Sequence, residues 1–183
     1  LADVTGNLTP LQEEVSRDFA KRFWVRKRCH NAANRVLRFL AQSEAAELLP
    51  DQVMNWLFAN GVLTHILLVA GLRNPTVRKR YFAVQQLLAE YQLPGFYETL
   101  LNSLGCAAMD RSRVEDRLQS LTRIFDTTKT LRKTAQPFAG DISDAARNLS
   151  IEGTGQLIES GYHREAVFWI IATFSRCMKI LWV

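Results

Sequence analysis

The sequence predicts an all-α fold, a bundle of about six to eight mostly antiparallel helices. Three observations carry that expectation. Apolar residues recur every three or four positions along most of the chain, and no segment sustains two-residue alternation between turn signals. Glycine (9) and proline (5) are too scarce for a many-turned β architecture or a linker-like chain. With 183 residues, 48% apolar and 22% charged, the chain can bury a sizeable core and has no disordered character. A single helical domain over 1–183 is expected, with a sub-boundary near 105–110 as the one place where it could divide.

The elements follow in order. Thr9-Pro10-Leu11-Gln12 has the form of an N-cap, a first-turn proline and a capping-box glutamine, so a long helix is expected over 10–42. Its inward face should carry Val15, Phe19 and Phe23, then Ala33, Leu37 and Leu40. A helical turn over 43–49 ends at Pro50. Asp51 caps a second long helix, 52–72, apolar on nearly every side and therefore central. Asn74-Pro75 breaks it, and Asn74 or Thr76 caps a helix to Tyr91. Leu93-Pro94-Gly95 precedes a short helix over 96–104 that Gly105 ends in a left-handed cap. Asp110 opens a helix over 111–134, 136–140 form a loop, and Asp141 caps a helix to Ser160 weakened by Gly153 and Gly155. Gly161 ends it, and a last helix runs from His163.

Charge and cysteines bound the function only loosely. Lys and Arg number 23 against 18 Asp and Glu, a formal charge of +5. That permits an anionic partner without forming a dedicated nucleic-acid stripe. Cys29, Cys106 and Cys177 are odd in number and widely spaced, which indicates neither a zinc site nor a disulfide framework and suits a cytoplasmic setting. The apolar stretches 53–72 and 166–183 contain Asn55, Asn60 and His65, and Arg176 and Lys179, so both read as core helices and no membrane partner is expected. The chain begins at Leu1 and stops in mid-helix at Val183, which reads as a piece excised from a longer polypeptide.

No P-loop, GxGxxG, GxSxG, HExxH or Asp-x-Asp motif is present, so no catalytic residue and no metal ligand is assigned. Asp141 and Asp144 read as a cap and a first-turn dipole partner. The informative position is the polar break in the first helix, where Arg26 and His30, four apart, share the face of the apolar row. Either they line a pocket that binds an anion or accepts a proton, or Arg26 carries its charge out to water along its stem. Arg22, Lys27, Arg28, Arg35 and Arg38, with Phe23 and Trp24, form a basic-aromatic run around them. Arg78-Lys79-Arg80 is a second basic cluster, just inside a helix start where cations oppose the dipole. Arg26, His30, Arg78 and Arg80 are therefore the candidate substrate- or phosphate-binding residues. His65 reads as a hydrogen-bonded core residue.

Leu67-Leu-Val-Ala-Gly-Leu-Arg-Asn-Pro-Thr-Val-Arg-Lys-Arg-Tyr81, followed by Leu87-Leu-Ala-Glu-Tyr91 and Phe96-Tyr-Glu-Thr-Leu-Leu-Asn-Ser-Leu-Gly105, resembles the helical region after the catalytic domain of polymerase-β-like nucleotidyltransferases, with the kanamycin-nucleotidyltransferase type as nearest analogue. Phe23-Trp24, Arg26 and Ala32-Ala33 look like its opening helix, and Leu157-Ile-Glu-Ser-Gly-Tyr-His-Arg-Glu-Ala166 like one of its joints. The likeness is spread over 15–180. It implies a non-catalytic domain that supplies one wall of a substrate cleft or a dimer contact. The partners it implies are a preceding α/β catalytic domain, a nucleotide or small-molecule substrate, and a second copy in a homodimer. Mg and nucleotide would belong to the parent chain; no cofactor is assigned here. Two alternatives stand beside it, a HEPN-like RNA- or nucleotide-binding module and a helical protein–protein interaction domain. HEPN proteins put four to six residues between an Arg and the following His, whereas only three lie between Arg26 and His30, a departure that argues against ribonuclease activity.

Overall fold

A computed structural model describes residues 5–74, 78–131 and 139–182. Among these the chain is helical throughout, with no strand: α1 (Leu8–Phe19), α2 (Arg22–Ala45), α3 (Leu49–Ala70), α4 (Arg80–Glu90), α5 (Pro94–Ser103), α6 (Arg111–Leu131), α7 (Asp144–Arg147), α8 (Gly153–Glu159) and α9 (His163–Leu181). The all-α multi-helix bundle expected from periodicity is what the chain forms.

Helix α3 is the hub. It is apolar around most of its circumference and is flanked by α2 on one side and α9 on another, with α4 against its C-terminal half. The α2–α3 pair is antiparallel: the Cys29 thiol donates to the Ile66 carbonyl at 3.7 Å, and the Ser43 hydroxyl donates to the Gln52 carbonyl at 2.7 Å. Helix α9 also runs antiparallel to α3, for Lys179 reaches Asp51 at 2.5 Å while Phe168 lies beside Gly61. By contrast α6 and α9 run parallel, tied by Cys106 donating to the Arg164 carbonyl at one end and by a Thr128–Cys177 hydrogen bond at the other. One apolar cluster takes in Leu57 and Leu68 of α3, Tyr81 and Val84 of α4, Leu101 of α5, Leu121 and Phe125 of α6 and Phe168 of α9, from both sides of 105–110. By length and composition α3 could cross a membrane, but here it is a core helix between neighbours.

Several local signals hold. Asp110 accepts the Arg113 N–H at 2.8 Å as the cap of α6. Gly105 (φ 73°) and Gly161 (φ 88°) occupy the left-handed region that ends α5 and α8, where a side chain would be strained. Other signals are overruled. The helix expected over 10–42 is two helices, because Lys21 turns extended (ψ 133°) between α1 and α2. Helix α1 starts at Leu8, ahead of Thr9, and of the turn expected over 43–49 the first three residues belong to α2 and Leu49 to α3. Asp51 does not cap α3 but lies in its first turn, held by Lys179. Asp141 is replaced as cap by Ser143, whose Oγ accepts the Ala146 N–H at 3.3 Å, and instead lies 3.2 Å from Arg176 Nε. The helix expected to run to Ser160 is interrupted by a π-helical turn at Asn148–Glu152, where Arg147 clamps Asp126 of α6 through two hydrogen bonds (2.9 and 3.0 Å). The Thr76 cap and the 132–134 helix end lie outside the described residues.

The largest correction concerns the apolar row of the first two helices. Val15, Phe19, Phe23, Leu37 and Leu40 face outward, with Phe23 60% and Leu37 66% exposed. The face that α2 turns to α3 is Ala32 and Val36, meeting Ala59 and Val62, with Phe39 beside them. Small side chains at Ala32 and Ala59 let the two helices approach closely, and that seam fixes the rotation of α2. Helix α1 buries no residue at all.

The first turn of α9 holds a buried carboxylate, Glu165, which accepts a 2.5 Å hydrogen bond from the Tyr97 hydroxyl of α5. Burial, and then this carboxylate, push the Tyr97 phenol far above its ordinary range, so it stays a donor. Removing that donor leaves a buried carboxyl group without its hydrogen-bond partner. Tyr97→Phe is expected to cost about 1.5–3 kcal/mol, read as a lower urea midpoint at unchanged slope; an unchanged midpoint would mean that the helix N-terminus alone holds Glu165.

Candidate functional site

The rotation of α2 decides what its polar residues do. Arg26 and His30 stand on its outward face, both exposed, and line one open groove between the N-terminal half of α2 and the C-terminal end of α3. The groove encloses about 1320 Å³. Its apolar lining comes from Val25, Cys29, Ile66 and Ala70, and its polar lining from Arg22, Arg26, Lys27, His30, Asn31 and Asn34. No carboxylate is among the lining residues, so the groove is cationic. Phe23 adds an aromatic face, with the Lys27 ammonium 4.6 Å from its ring centre and 5.1 Å from that of Trp24.

Not every cation of this run serves the groove. Arg28 lies over the Phe19 ring at 4.1 Å and donates to the Phe19 carbonyl at 2.6 Å, pinning α1 to α2. Cys29 is spent on the Ile66 carbonyl. The guanidiniums of Arg22 and Arg26 thus offer charge and paired donors to the groove, and His30 adds an imidazole beside them.

The structure does not bring Arg78 and Arg80 to this groove. Arg80 opens α4 and turns inward, its guanidinium 4.9 Å from the Phe168 ring centre and against Gly61, where a Cβ would meet Nη1 at 2.6 Å and the ring at 3.1 Å. Burial holds its pKa below the usual arginine value. Arg78 lies against Gly153, just past the π-helical turn, where a Cβ would collide with its guanidinium. Two glycines on separate helices therefore seat two guanidiniums, a pairing visible in the sequence only as isolated helix-weakening residues. The lining residues Ile66 and Ala70 were equally hidden, because they belong to a helix read as wholly interior.

Elsewhere, burial pushes the Cys106 thiol up to about 12 and Cys177 to about 11, leaving both protonated and unreactive at neutral pH. Among the described residues no group of three or more His, Cys, Asp or Glu side chains could hold a metal ion. His65 is half-buried on α3, one turn beyond Gly61, and belongs to a cationic surrounding more than to a hydrogen-bonded core. Burial first, then the charges of Arg80 and Arg35, hold its pKa below the ordinary 6.5.

That shift has a pH consequence. Because the folded imidazole takes its proton at lower pH than the unfolded one, the stability His65 contributes is complete above 6.5 and is lost as pH falls below it. Arg35 is exposed and removable. In Arg35→Ala the His65 titration followed by NMR is expected to move up toward 6.5; an unmoved titration would show that this charge does not reach the imidazole.

Compared with known proteins, the chain matches no family model, no curated protein and no solved structure.

Proposed function

We propose that this chain is the non-catalytic helical domain of a nucleotidyltransferase-like protein, and that its α1–α2 arm forms one wall of the substrate cleft. The observation that supports this most directly is the groove itself: Arg22, Arg26, Lys27 and His30 on one open surface, an aromatic ring beside them and no carboxylate in the lining. A triphosphate or a phosphorylated substrate needs such a surface, and Phe23 suits a base or sugar laid across it. The preceding α/β domain of the parent chain would pack on the apolar row left bare beside the groove, Val15, Phe19 and Phe23. A cytoplasmic setting, which the three free thiols suit, belongs to the same reading.

One observation favours a second use of the arm. Phe23, His30 and Leu37 fall seven apart on α2, as do Arg26, Ala33 and Leu40, the spacing of a helix–helix seam. A second copy of the chain could cover that face, making the arm a dimer contact.

The test uses the full-length polypeptide and ATP with Mg²⁺. Arg26→Ala and His30→Ala are each expected to weaken ATP binding by about tenfold, while Arg113→Ala, at an exposed position of α6, leaves it unchanged. Unaltered affinity and activity in both groove variants would remove the substrate-wall reading. Sedimentation of Leu37→Asp alongside wild type separates the dimer reading, which requires a mass that halves.

A further inference from the structure

A narrow apolar groove runs between α6 and α9, on a different part of the surface from the α2 groove. Its walls are Val114 and Ile124 of α6 and Val167, Ile170, Ile171 and Phe174 of α9, and its volume is about 380 Å³. It exists because these two helices run parallel and meet through Leu121 and Phe125, so that the residues flanking that contact face one another across a slot. From Val114 to Ile124 the slot is about 15 Å long, ten residues at the helical rise.

The polar edge of the slot is as specific as its walls. Arg117 and Ser120, three apart on α6, both line it. Arg117 is exposed, and among the described residues no carboxylate stands within ion-pair distance of it. The neighbouring Glu115 is engaged by Arg111 at 2.6 Å. Ser120 accepts a hydrogen bond from Arg123 at 3.3 Å, which leaves its own O–H to donate outward. One guanidinium and one hydroxyl, side by side at the edge of an apolar slot, match a head carrying a single negative charge and a tail carrying none.

We propose that this groove binds a medium-chain fatty carboxylate, its head on Arg117 and Ser120 and its tail against the apolar walls of the slot. The tail gains the dispersion contacts that the slot lacks when open, and the head replaces the water around Arg117 with a charge-assisted pair. The site stands independently of the nucleotidyltransferase reading.

Titration calorimetry with decanoate, decyl alcohol and acetate, each below its aggregation limit, tests the proposal on the wild-type protein and on Arg117→Ala. Saturable one-to-one decanoate binding is expected, weakened about tenfold in Arg117→Ala, with decyl alcohol unaffected by the substitution and acetate not bound. Methyl NMR shifts on adding decanoate are expected at Ile124, Ile170 and Ile171. Absence of saturable decanoate binding, equal affinity of the two proteins for decanoate, or shifts confined to other methyls would each overturn it.

Discussion

The enclosure of α3 is the constraint on which the rest of the molecule depends. A 22-residue helix that is apolar on most sides has to be surrounded, and the chain does this by folding α2 back along one flank and laying α9 along another. Close approach is possible only where side chains are small. Ala32 and Ala59 provide it on the α2 side, and Gly61 provides it where Phe168 and Arg80 come in. Once those contacts are made, α2 has no rotational freedom left. Its Ala32–Val36 face is consumed, and whatever stands opposite must meet solvent or another surface.

The cations fall into two kinds. Some are committed to the fold: Arg28 to the Phe19 ring and carbonyl, Arg80 to Phe168, Arg147 to Asp126, Arg164 to Glu98 at 2.9 Å and Arg176 to Asp141. Others, Arg22, Arg26 and Lys27, are left around one groove with His30. The modest net charge of +5 therefore understates the local field, because no carboxylate lines the groove.

Fold class was legible because helical periodicity and turn chemistry are local. Gly105, Asp110 and Gly161 act where their residue types say they should, since a left-handed φ and a side-chain acceptor for an N-terminal N–H depend on nearest neighbours alone. Which face of α2 is buried was not legible. Both faces carry apolar residues, and the larger ones, Phe23, Leu37 and Leu40, lie on the outer face. Hydrophobicity favours the bulkier row, whereas close helix packing selects the row with alanines, a pairwise property that one helix cannot reveal. The same limit explains Asp51 and Asp141: each has the chemistry of a cap, but Lys179 and Arg176, distant in sequence, claim them. The adjacency of Arg26 and His30 followed from their spacing of four; the separation of Arg78 and Arg80 from them depended on tertiary placement.

The orientation of α2 is testable without any ligand. Cysteines placed singly at Val36→Cys and Leu37→Cys differ by one residue and by about 100° around the helix. Thiol labelling of the folded chain should modify the residue-37 thiol rapidly and leave the residue-36 thiol protected until unfolding. Rapid labelling at 36 with protection at 37 would mean that α2 turns the Leu37 row to α3, and the groove of Arg26 and His30 would not exist.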